Sequence, residues 1–595
     1  MTLSIRELEE PLKVALKLGL QFALFNSCSG LSIASSLIDL GLSQVAVMRS
    51  PIHNRVAEEF LLKFIQTLAE YKDVHESLIS ACQYIKLEKN LTYPSAYLIP
   101  SLFRHRETPL FKLSPVGIKQ TVKKFMPSRK EAMAITVISG LSLLLPVQGY
   151  LLDKRLEVQA VYRNITGQLE SKQIGNSQPN QREATVATPP VLLISIDDES
   201  IEKSDLLSNP KPINRQYIAN LVDKLVASGA KVIGIDYILD RNQGKNDDIL
   251  AKSIQTAINS PKPVWFVFAS TSGTKMGDRR NVTERVASPN WSLQGDIDIT
   301  PGYMSLLPEL DLNSDSFSEP LSFANQLVIS QELQQNLSSS LIPKPKLNSQ
   351  QDLLSQIQSF LNSRDWENPN YKQSSRFRLQ PLTALSYDFF QIWLHPIMDF
   401  SIPPNQAYQS ISAWQLLEDK ISKEVLENIS RQIVIIAPGG YREAGIITDG
   451  EDNFDMPPAI AYWQQIDKVT LASQGYKLSG AEFHSYMVHH LSTKRLVIPI
   501  PDFWMLALAI LLGKSTSIFV GQEMIRQQKL DKKAIYKKVF SNSGILILLI
   551  VSTTIYGVIS LQVYTSSLAI LLPFILPSVT LWAYILPKIL GKKSK

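Results

Sequence analysis

Short apolar runs alternate with segments of helical periodicity between residues 191 and 269. The runs are typical of strands, and the segments with apolar residues three and four apart are typical of amphipathic helices. Because the strands are continuously apolar, they indicate a parallel sheet that helices cover on both faces. Arg431 to Ala437 is a further run of this kind, so the sequence predicts an α/β domain. The other predicted strands are 191–196, 231–239 and 263–269, and the predicted helices are 215–228 and 247–258.

The segment between these strands, Ser270 to Ser430, is less regular. It is rich in Ser, Gln, Asn and Pro and contains the polar run Gln331 to Gln351. Such a composition is typical of loops and surface elements. We therefore expect insertions and helices that are attached to the sheet, not a separate catalytic domain.

Longer apolar runs predict membrane helices. Ala132 to Leu152 contains 21 uncharged residues, which as a helix reach roughly 31 Å and match the hydrocarbon core of a bilayer. Val539 to Pro587 contains 49 residues without a charge, and the polar stretch Gln562 to Ser567 lies near its middle. This run predicts a helical hairpin with membrane helices at 544–561 and 567–587.

A fourth candidate membrane helix, Phe503 to Gln522, has Lys514 near its centre, and a central Lys costs about 2.5 kcal/mol or more on insertion. The basic residues on either side of this segment nevertheless indicate that it crosses the membrane. Clusters of Lys and Arg lie within 119–130, 526–538 and 592–595, and all three reach the cytoplasmic side only if 503–522 crosses the membrane. Lys514 then turns toward the other helices or snorkels, or it has a role in signalling.

Four membrane helices place both termini in the cytoplasm and residues 153–502 in one extracytoplasmic domain. The first ten residues carry acids where a secretory signal carries a basic segment, which also favours a cytoplasmic N-terminus. We therefore expect a multi-pass protein of the plasma (inner) membrane, with the lipid bilayer as its first partner.

The composition excludes several classes of protein. Hydrophobic residues make up 45% and charged residues 19% of the 595, so the chain is not intrinsically disordered. The formal net charge of +6 is too small for a dedicated nucleic-acid binder. The two cysteines, Cys28 and Cys82, cannot form a disulfide framework, and no Cys or His cluster has zinc spacing. We expect no metal and no other cofactor.

Acidic residues follow two of the predicted strands. Asp197 and Asp198 come after the first strand and Asp236 after the second, and Arg215 opens the helix between them. Ligands of open parallel sheets bind beyond the carboxyl ends of the strands. We expect the four residues to lie together there, either as a site for a cation, an amine or a small polar ligand, or as a buried ion-pair network.

Several of these segments together resemble the second type of CHASE domain, the cyclase/histidine-kinase-associated sensory extracellular domain. The resemblance covers roughly Leu151 to Leu586 and implies an extracytoplasmic sensor of a bacterial, often cyanobacterial, signalling protein that detects an unknown small ligand. Two features depart from the family: Lys211-Pro-Ile-Asn replaces an aromatic-proline segment, and no kinase or cyclase module follows up to Lys595. The matching segments are Val191 to Ser200, Arg215 with its helix, Gly229 to Leu239, Ile433 to Ala437, Gly480 to His484 and the three membrane helices after them.

The first 112 residues also read as strand, helix, strand. The strands are about 18–27 and 44–49, and helices are predicted over 31–40, 55–71 and 74–87. Cys28 lies where a strand ends and a helix begins, and free N–H groups with the helix dipole favour a thiolate there. A lone Cys in this position is either a buried packing residue or a nucleophile.

This fragment resembles the C-terminal half of a CHAT domain, a caspase-like peptidase module. The matching segments are 24–30, 45–52 and 93–100, and the resemblance aligns Cys28 with the family's nucleophile. A caspase-like cysteine also needs a general-base His upstream, and none of the 27 residues before Cys28 is His. His53 falls in a downstream loop and His75 on a solvated helix. We expect a truncated descendant, or a chain whose start lies upstream of Met1.

Two functions follow from the sequence. The favoured one is a membrane sensor or interaction protein that is not an enzyme, with an inactive caspase-like fragment and an unknown cytoplasmic protein partner. The alternative is a membrane-tethered caspase-like cysteine peptidase that the outer domain regulates and that upstream sequence or a partner chain completes. A homodimer is an assembly that the sequence leaves open.

Overall fold

A computed structural model provides the structure of the protein. The chain divides into two compact units, of which the first is Met1–Thr136 with Ala509–Val551 and Thr580–Lys595, and the second is Val137–Leu508 with Ser552–Val579. The residues that the structure describes are 5–17, 19–25, 30–105, 108–113, 125–127, 129–167, 188–204, 210–271, 279–298, 321–335, 342–361, 396–441, 452–467, 477–493, 495–529, 542–566 and 569–590.

The N-terminal part of the first unit is a three-stranded sheet with helices. The central strand β2 is buried along its whole length, whereas β1 is only half-buried. β2 runs parallel to β1 and antiparallel to β3. The predicted strand, helix, strand order is confirmed, and α1 and β3 are elements that the apolar pattern did not predict. The elements are α1 (Ile5–Lys17), β1 (Phe22–Phe25), α2 (Gly30–Asp39), β2 (Gln44–Met48), α3 (Asn54–Ala69), α4 (Val74–Lys89) and β3 (Pro100–Arg104).

The first predicted membrane helix is broken. Helix α5 (Arg129–Leu143) ends and helix α6 (Leu145–Thr166) begins at Leu144, and the two are bent by 76°. Pro146 accounts for the break, because proline has no N–H to donate and its ring clashes with the carbonyl group one turn earlier. One continuous membrane helix over 132–152 is therefore not confirmed, and this segment counts as a membrane span only if the bent pair is one span.

A six-stranded parallel sheet forms the centre of the second unit. Its strand order is β7-β6-β5-β9-β4-β8, and every neighbouring pair is parallel. The predicted strands β4, β5, β6 and β9 are confirmed. The segment 270–430 supplies both edge strands, so it belongs to the sheet. The strands are β4 (Val191–Ile196), β5 (Val232–Ile235), β6 (Trp265–Ser270), β7 (Leu293–Asp296), β8 (Tyr408–Ser412) and β9 (Ile433–Pro438).

Helices cover both faces of this sheet. Alternate residues of β5 point to different cores, with Val232 packed in one and Ile233 and Ile235 in the other. Gly234 allows close packing, because a Cβ there would lie 2.8 Å from the ring of Phe323. The further elements are α7 (Asp198–Glu202), α8 (Arg215–Ala227), α9 (Lys245–Ile258), α10 (Phe323–Gln335), α11 (Leu353–Leu361), α12 (Pro404–Ala407), α13 (Ala413–Leu417), α14 (Lys423–Asn428), β10 (Asn453–Asp455), α15 (Pro458–Asp467), β11 (Lys477–Ser479) and α16 (Gly480–Thr493).

The C-terminal part contains the longest apolar helices. Among the described residues, two helices are long and apolar enough to cross a membrane, Asp502–Gln522 and Ser543–Thr565. By length and composition they fit the membrane helices predicted at 503–522 and 544–561. The apolar helix Ile575–Pro587 is shorter than a span, because strand β13 takes up part of the predicted 567–587, so four membrane helices are not confirmed. The elements are β12 (Ile498–Pro499), α17 (Asp502–Lys529), α18 (Asn542–Thr565), β13 (Ile570–Leu571) and α19 (Ile575–Leu590).

Lys514 of α17 has an acidic partner in the first unit. Its Nζ lies 2.6 Å from Oε2 of Glu131 on α5. The side chain therefore turns toward another helix, which is one of the two positions expected for a Lys in the middle of an apolar segment.

Candidate ligand-binding site

Asp197 stabilises the local structure at the end of β4 through hydrogen bonds. Its Oδ1 accepts hydrogen bonds from the Ser200 backbone N–H at 2.9 Å and from the Ser200 hydroxyl at 2.6 Å, and its Oδ2 accepts one from Ser412 of β8. The residue therefore caps α7, and it ties the ends of two neighbouring strands together. Asp198 lies in the first turn of α7 and is exposed.

The acidic partner of Arg215 is not one of the three aspartates predicted to lie beside it. The side chain is 1% exposed, and its Nε lies 3.4 Å from Oδ1 of Asp247, which is fully buried. Its Nη1 and Nη2 donate to the carbonyl groups of Ile213 at 3.0 Å and Arg241 at 3.2 Å. Burial lowers the pKa of Arg215, and Asp247 partly offsets this. Arg215 thus belongs to a structural ion pair, as one interpretation predicted, but with Asp247.

Asp236 follows β5 at the carboxyl edge of the sheet. It was expected to lie on a strand adjacent to Asp197, but β9 pairs with both β4 and β5 and separates them. The backbone N–H of Asp236 donates to the carbonyl group of Ile436 in β9 at 2.9 Å. By strand alternation its side chain is on the same face as Val232 and Gly234, the face that α10 covers. The four predicted residues therefore do not form one cluster.

A different acid, Asp452, acts on Asp236. Burial and the negative charge of Asp452 raise the pKa of Asp236 well above its ordinary value. Burial also raises the pKa of Asp452, which is about 7, although the Gly480 N–H donates to its Oδ1 at 3.1 Å. The negative charge of Asp452 therefore makes ionisation of the Asp236 carboxyl group less favourable.

Glu482 extends this acidic region. It is fully buried at the start of α16, and its charge acts on Asp452. Its Oε1 accepts from the Tyr408 hydroxyl at 2.9 Å, and its Oε2 accepts from the N–H and the hydroxyl of Ser479 at 2.9 and 3.0 Å. Both carboxylate oxygens of Glu482 therefore already have donors within the protein. Glu482 contributes its negative charge to the region, but no free acceptor for a ligand.

Two tyrosines, Tyr237 and Tyr441, pack in the core on the other face of the sheet. The hydroxyl groups of Tyr237 and Tyr441 are 3.4 Å apart. Burial raises the pKa of Tyr237, and so do Tyr441 and the charges of Asp236 and Asp452. Tyr237 therefore lies within the field of both carboxylates. We call Asp236, Tyr237, Tyr441 and Asp452 the edge cluster.

The chemistry of the edge cluster suits recognition of positive charge. Carboxylates and phenol oxygens accept hydrogen bonds, and tyrosine rings attract cations. Among the residues that the structure describes, no group of three or more His, Cys, Asp and Glu could hold a metal ion. Asp452 and Tyr441 were missed by the sequence analysis, because neither ends a predicted strand.

A second charged centre lies deeper in the second unit, around Asp399. This residue is fully buried, and it faces Arg163 of α6, whose Nη2 lies 3.1 Å from its Oδ2, and Arg495, whose Nε lies 3.7 Å away. Burial alone raises the pKa of Asp399, but Arg163, Arg495 and His490 outweigh it and hold the pKa at about 2. Asp399 is therefore charged, and it neutralises two guanidinium groups.

Hydrogen bonds connect this centre to the end of α18. The Tyr564 hydroxyl donates to Asp399, and the Tyr564 carbonyl accepts from Arg495 at 2.8 Å. Both guanidinium groups also lie over the Tyr564 ring, at 5.8 and 5.7 Å from its centroid. Ser401 donates to Asp399 through its N–H and its hydroxyl. We call Arg163, Asp399, Ser401, Arg495 and Tyr564 the Asp399 network; it joins α6 and α18 to the sheet domain.

The candidate residues of the N-terminal part are only partly described. Cys28, the predicted nucleophile position, lies outside the described residues. His53 caps α3, where its Nδ1 accepts from the Arg55 N–H at 3.3 Å, and its ring stacks on Tyr93. His75 is exposed on α4, as predicted. Burial raises the pKa of the other cysteine, Cys82, to about 11, so its thiol is not activated.

Comparison with known proteins identifies the second unit. A family model described as the CHASE2 domain matches residues 133–518, well over half of the chain. Comparisons with curated proteins and with solved structures find no match. The matched segment contains the parallel sheet, the edge cluster and all of the Asp399 network except Tyr564. The chain therefore belongs to the family of CHASE2 domain proteins.

Proposed function

We propose that the protein is a multi-pass membrane sensor whose domain of residues 153–502 faces the outside of the plasma (inner) membrane. CHASE2 domains are extracellular sensors, and the match covers the parallel-sheet domain and the helices next to it. Two of the helices after the sheet are apolar and long enough to span a membrane. The family match over this arrangement is the observation that carries the proposal.

The Asp399 network supports a role in transmission. A sensor must connect a change in its outer domain to the helices that cross the membrane. The network ties the loop around Asp399 to Tyr564, at the end of the candidate span Ser543–Thr565. An ion pair between Arg155 of α6 and Asp502, the first residue of α17, adds a second connection. A movement of α6 is thereby passed to both spans.

Reporter fusions test the proposed topology. An alkaline phosphatase, active only after export, would be inserted at Gln350, an exposed residue of the sheet domain, and a matched fusion would follow Lys533 in the basic segment. We expect activity at Gln350 and none at Lys533. Activity at Lys533 with none at Gln350 would invert the topology and refute an outer sensor domain.

The N-terminal part is proposed as a cytoplasmic interaction module with a caspase-like origin. Its support is the parallel pair β1 and β2, with Cys28 in the connection between β1 and α2. The same observation keeps the peptidase as a second candidate. The two differ in a Cys-directed peptidyl probe: labelling and peptide cleavage that disappear in Cys28→Ala favour the peptidase, and unchanged background favours the interaction module.

A further inference from the structure

Lys514 is a positive charge inside one of the two candidate membrane spans of the described chain. It lies twelve residues after Asp502 and eight residues before Gln522, the two ends of that apolar segment. At 1.5 Å per residue, these ends are about 18 Å and about 12 Å away along the helix. Water at either end is therefore distant, and an ammonium group at this depth needs a partner within the protein.

Helix α5 supplies that partner. Nζ of Lys514 donates to Oε2 of Glu131 at 2.6 Å, a hydrogen bond between two opposite charges. The side chain of Lys514 is 17% exposed and that of Glu131 is 33% exposed, so protein covers most of both. The carboxylate of Glu131 thus balances the charge of the lysine.

A third helix, α19, contacts the same lysine. The centroid of the Tyr584 ring lies 6.0 Å from Nζ of Lys514, a distance at which an aromatic ring still attracts a cation. The neighbouring residue Gly513 allows this approach, because a Cβ there would lie 3.0 Å from Cδ2 of Tyr584. Three helices that are far apart in the sequence therefore meet around one ammonium group.

We propose that Glu131 is the counter-charge that segment 503–522 requires in order to insert efficiently as a membrane helix. This inference rests on the proposed topology and goes beyond the sensor function, because it concerns how the protein assembles in the membrane. A lone charge enters a bilayer at high cost, whereas a paired charge enters with its field balanced. Since α5 precedes α17 in the chain, Glu131 is synthesised first and is present when Lys514 reaches the membrane.

Two other roles of the ion pair lead to different results. If Lys514 reaches water by extending its side chain along the helix, Glu131 is dispensable for insertion. If the pair stabilises only the finished fold, its loss lowers the melting temperature and leaves the topology unchanged. The proposed role instead predicts that, in part of the molecules without Glu131, segment 503–522 fails to cross and the basic segment 526–538 stays outside.

Labelling of a single cysteine in intact cells measures this fraction. In the full chain with Cys28 and Cys82 replaced by alanine, Gln528→Cys supplies one thiol near the C-terminal end of α17 and leaves the basic residues in place. A membrane-impermeant maleimide should not reach it in the otherwise native chain. With Glu131→Gln, we expect the labelled fraction to rise about threefold or more above this background.

A second substitution separates the charge from other effects. Lys514→Met, added to Glu131→Gln, removes the charge that needs a partner and keeps a long unbranched side chain, so labelling should return to the native level. Glu157→Gln is the matched control, because Glu157 is also 33% exposed and pairs with Lys154 at 2.6 Å. It should label as the otherwise native chain does.

The possible outcomes distinguish the proposals. Unchanged labelling with Glu131→Gln, or a rise that Lys514→Met does not reverse, would overturn the role of Glu131. If cells degrade the Glu131→Gln chain, the amount of full-length protein becomes the measured quantity, and it must recover in the double variant. Labelling of Gln528→Cys in the otherwise native chain would instead refute the proposed topology.

Discussion

Replacing Asp399 by asparagine removes the negative charge that faces Arg163 and Arg495. Asparagine has nearly the same shape, and its oxygen still accepts hydrogen bonds from Ser401 or Tyr564. What changes is the electrostatics, since two guanidinium groups lose their counter-charge. The side chain of Arg163 is 4% exposed and that of Arg495 is 16% exposed. Water therefore hardly stabilises the positive charge of Arg163.

The expected loss follows from this burial. Removing one partner of a buried ion pair costs about 3–5 kcal/mol, because the other charge stays buried and unpaired. For a large domain this lowers the melting temperature by roughly 6–10 °C. The control Asp455→Asn breaks an ion pair whose acid is 96% exposed, and the expected change is no more than about 2 °C.

The assay is a thermal melt of the detergent-solubilised full chain at pH 7. A double variant, Asp399→Asn with Arg163→Met, separates charge from shape, because it removes the unpaired guanidinium. We expect the double variant to melt no lower than Asp399→Asn alone. A fall of less than 2 °C for Asp399→Asn, or a further large fall in the double variant, would refute the view that Asp399 compensates a buried charge.

The low pKa of Asp399 fixes the pH range of the effect. A carboxyl group whose pKa is held at about 2 in the folded chain, below an unfolded value of about 3.9, stabilises the fold above that unfolded value. This contribution is lost as the pH falls from about 4 to about 2. The native chain and Asp399→Asn should therefore differ by a constant amount between pH 5 and 8.

Three further predictions concern other parts of the chain. Because the pKa of Asp452 is raised to about 7, the folded chain binds a proton that the unfolded chain releases, so the native chain should melt at a higher temperature at pH 5.5 than at pH 8. Asp452→Asn should reduce this difference. A melting temperature of the native chain that falls between pH 8 and pH 5.5 would contradict the prediction. Gly295→Ala should destabilise the sheet domain by about 1–3 kcal/mol or more in chemical denaturation, since the new Cβ would fall on the backbone of Phe323. Gly149→Ala, inside helix α6 and with nothing within 4 Å, should instead be neutral or stabilise by up to about 1 kcal/mol. Finally, the 595-residue chain should release no product from a peptide library, because none of its residues 1–27 is a His that could protonate the leaving amine. Cleavage that Cys28→Ala abolishes would contradict this.

The central strands were predictable and the edge strands were not. β4, β5, β6 and β9 are buried on both faces, so their sequences are continuously apolar. The sequences of β7 and β8, Leu-Gln-Gly-Asp and Tyr-Gln-Ser-Ile-Ser, contain more polar residues. An edge strand tolerates them because it is less covered by its neighbours. Their place in the sheet depends on pairing with β6 and β4, which a local pattern does not contain.

The sequence predicted which edge of the sheet carries acidic residues, but not which residues lie together there. The rule that ligands bind at the carboxyl edge singled out Asp236 as a candidate, but sequence order suggested that β4 and β5 are neighbours. β9, about 200 residues later in the chain, lies between them. The acid that pairs with Arg215, Asp247, lies on another helix, and the acid that acts on Asp236, Asp452, is more than 200 residues away in the sequence. A local sequence pattern does not contain these contacts.

The membrane helices show the same limit. Length and apolar composition, together with the basic clusters that favoured 503–522 despite Lys514, were enough for 503–522 and 544–561. They were not enough for 132–152, where Pro146 interrupts the backbone hydrogen bonds, or for 567–587, where Ile570–Leu571 pairs with Ile498–Pro499 instead of entering a helix. An apolar run sets an upper bound on a span, and proline and strand pairing shorten it.

Labelling of single cysteines in intact cells tests the central claim, an outer sensor domain with a cytoplasmic N-terminal part, most directly. In a chain with Cys28 and Cys82 replaced by alanine, Gln350→Cys and Leu91→Cys would each supply one exposed thiol. With a membrane-impermeant maleimide, we predict labelling of Gln350→Cys in intact cells and of Leu91→Cys only after permeabilisation. Labelling of Leu91→Cys in intact cells, with Gln350→Cys protected, would contradict the account.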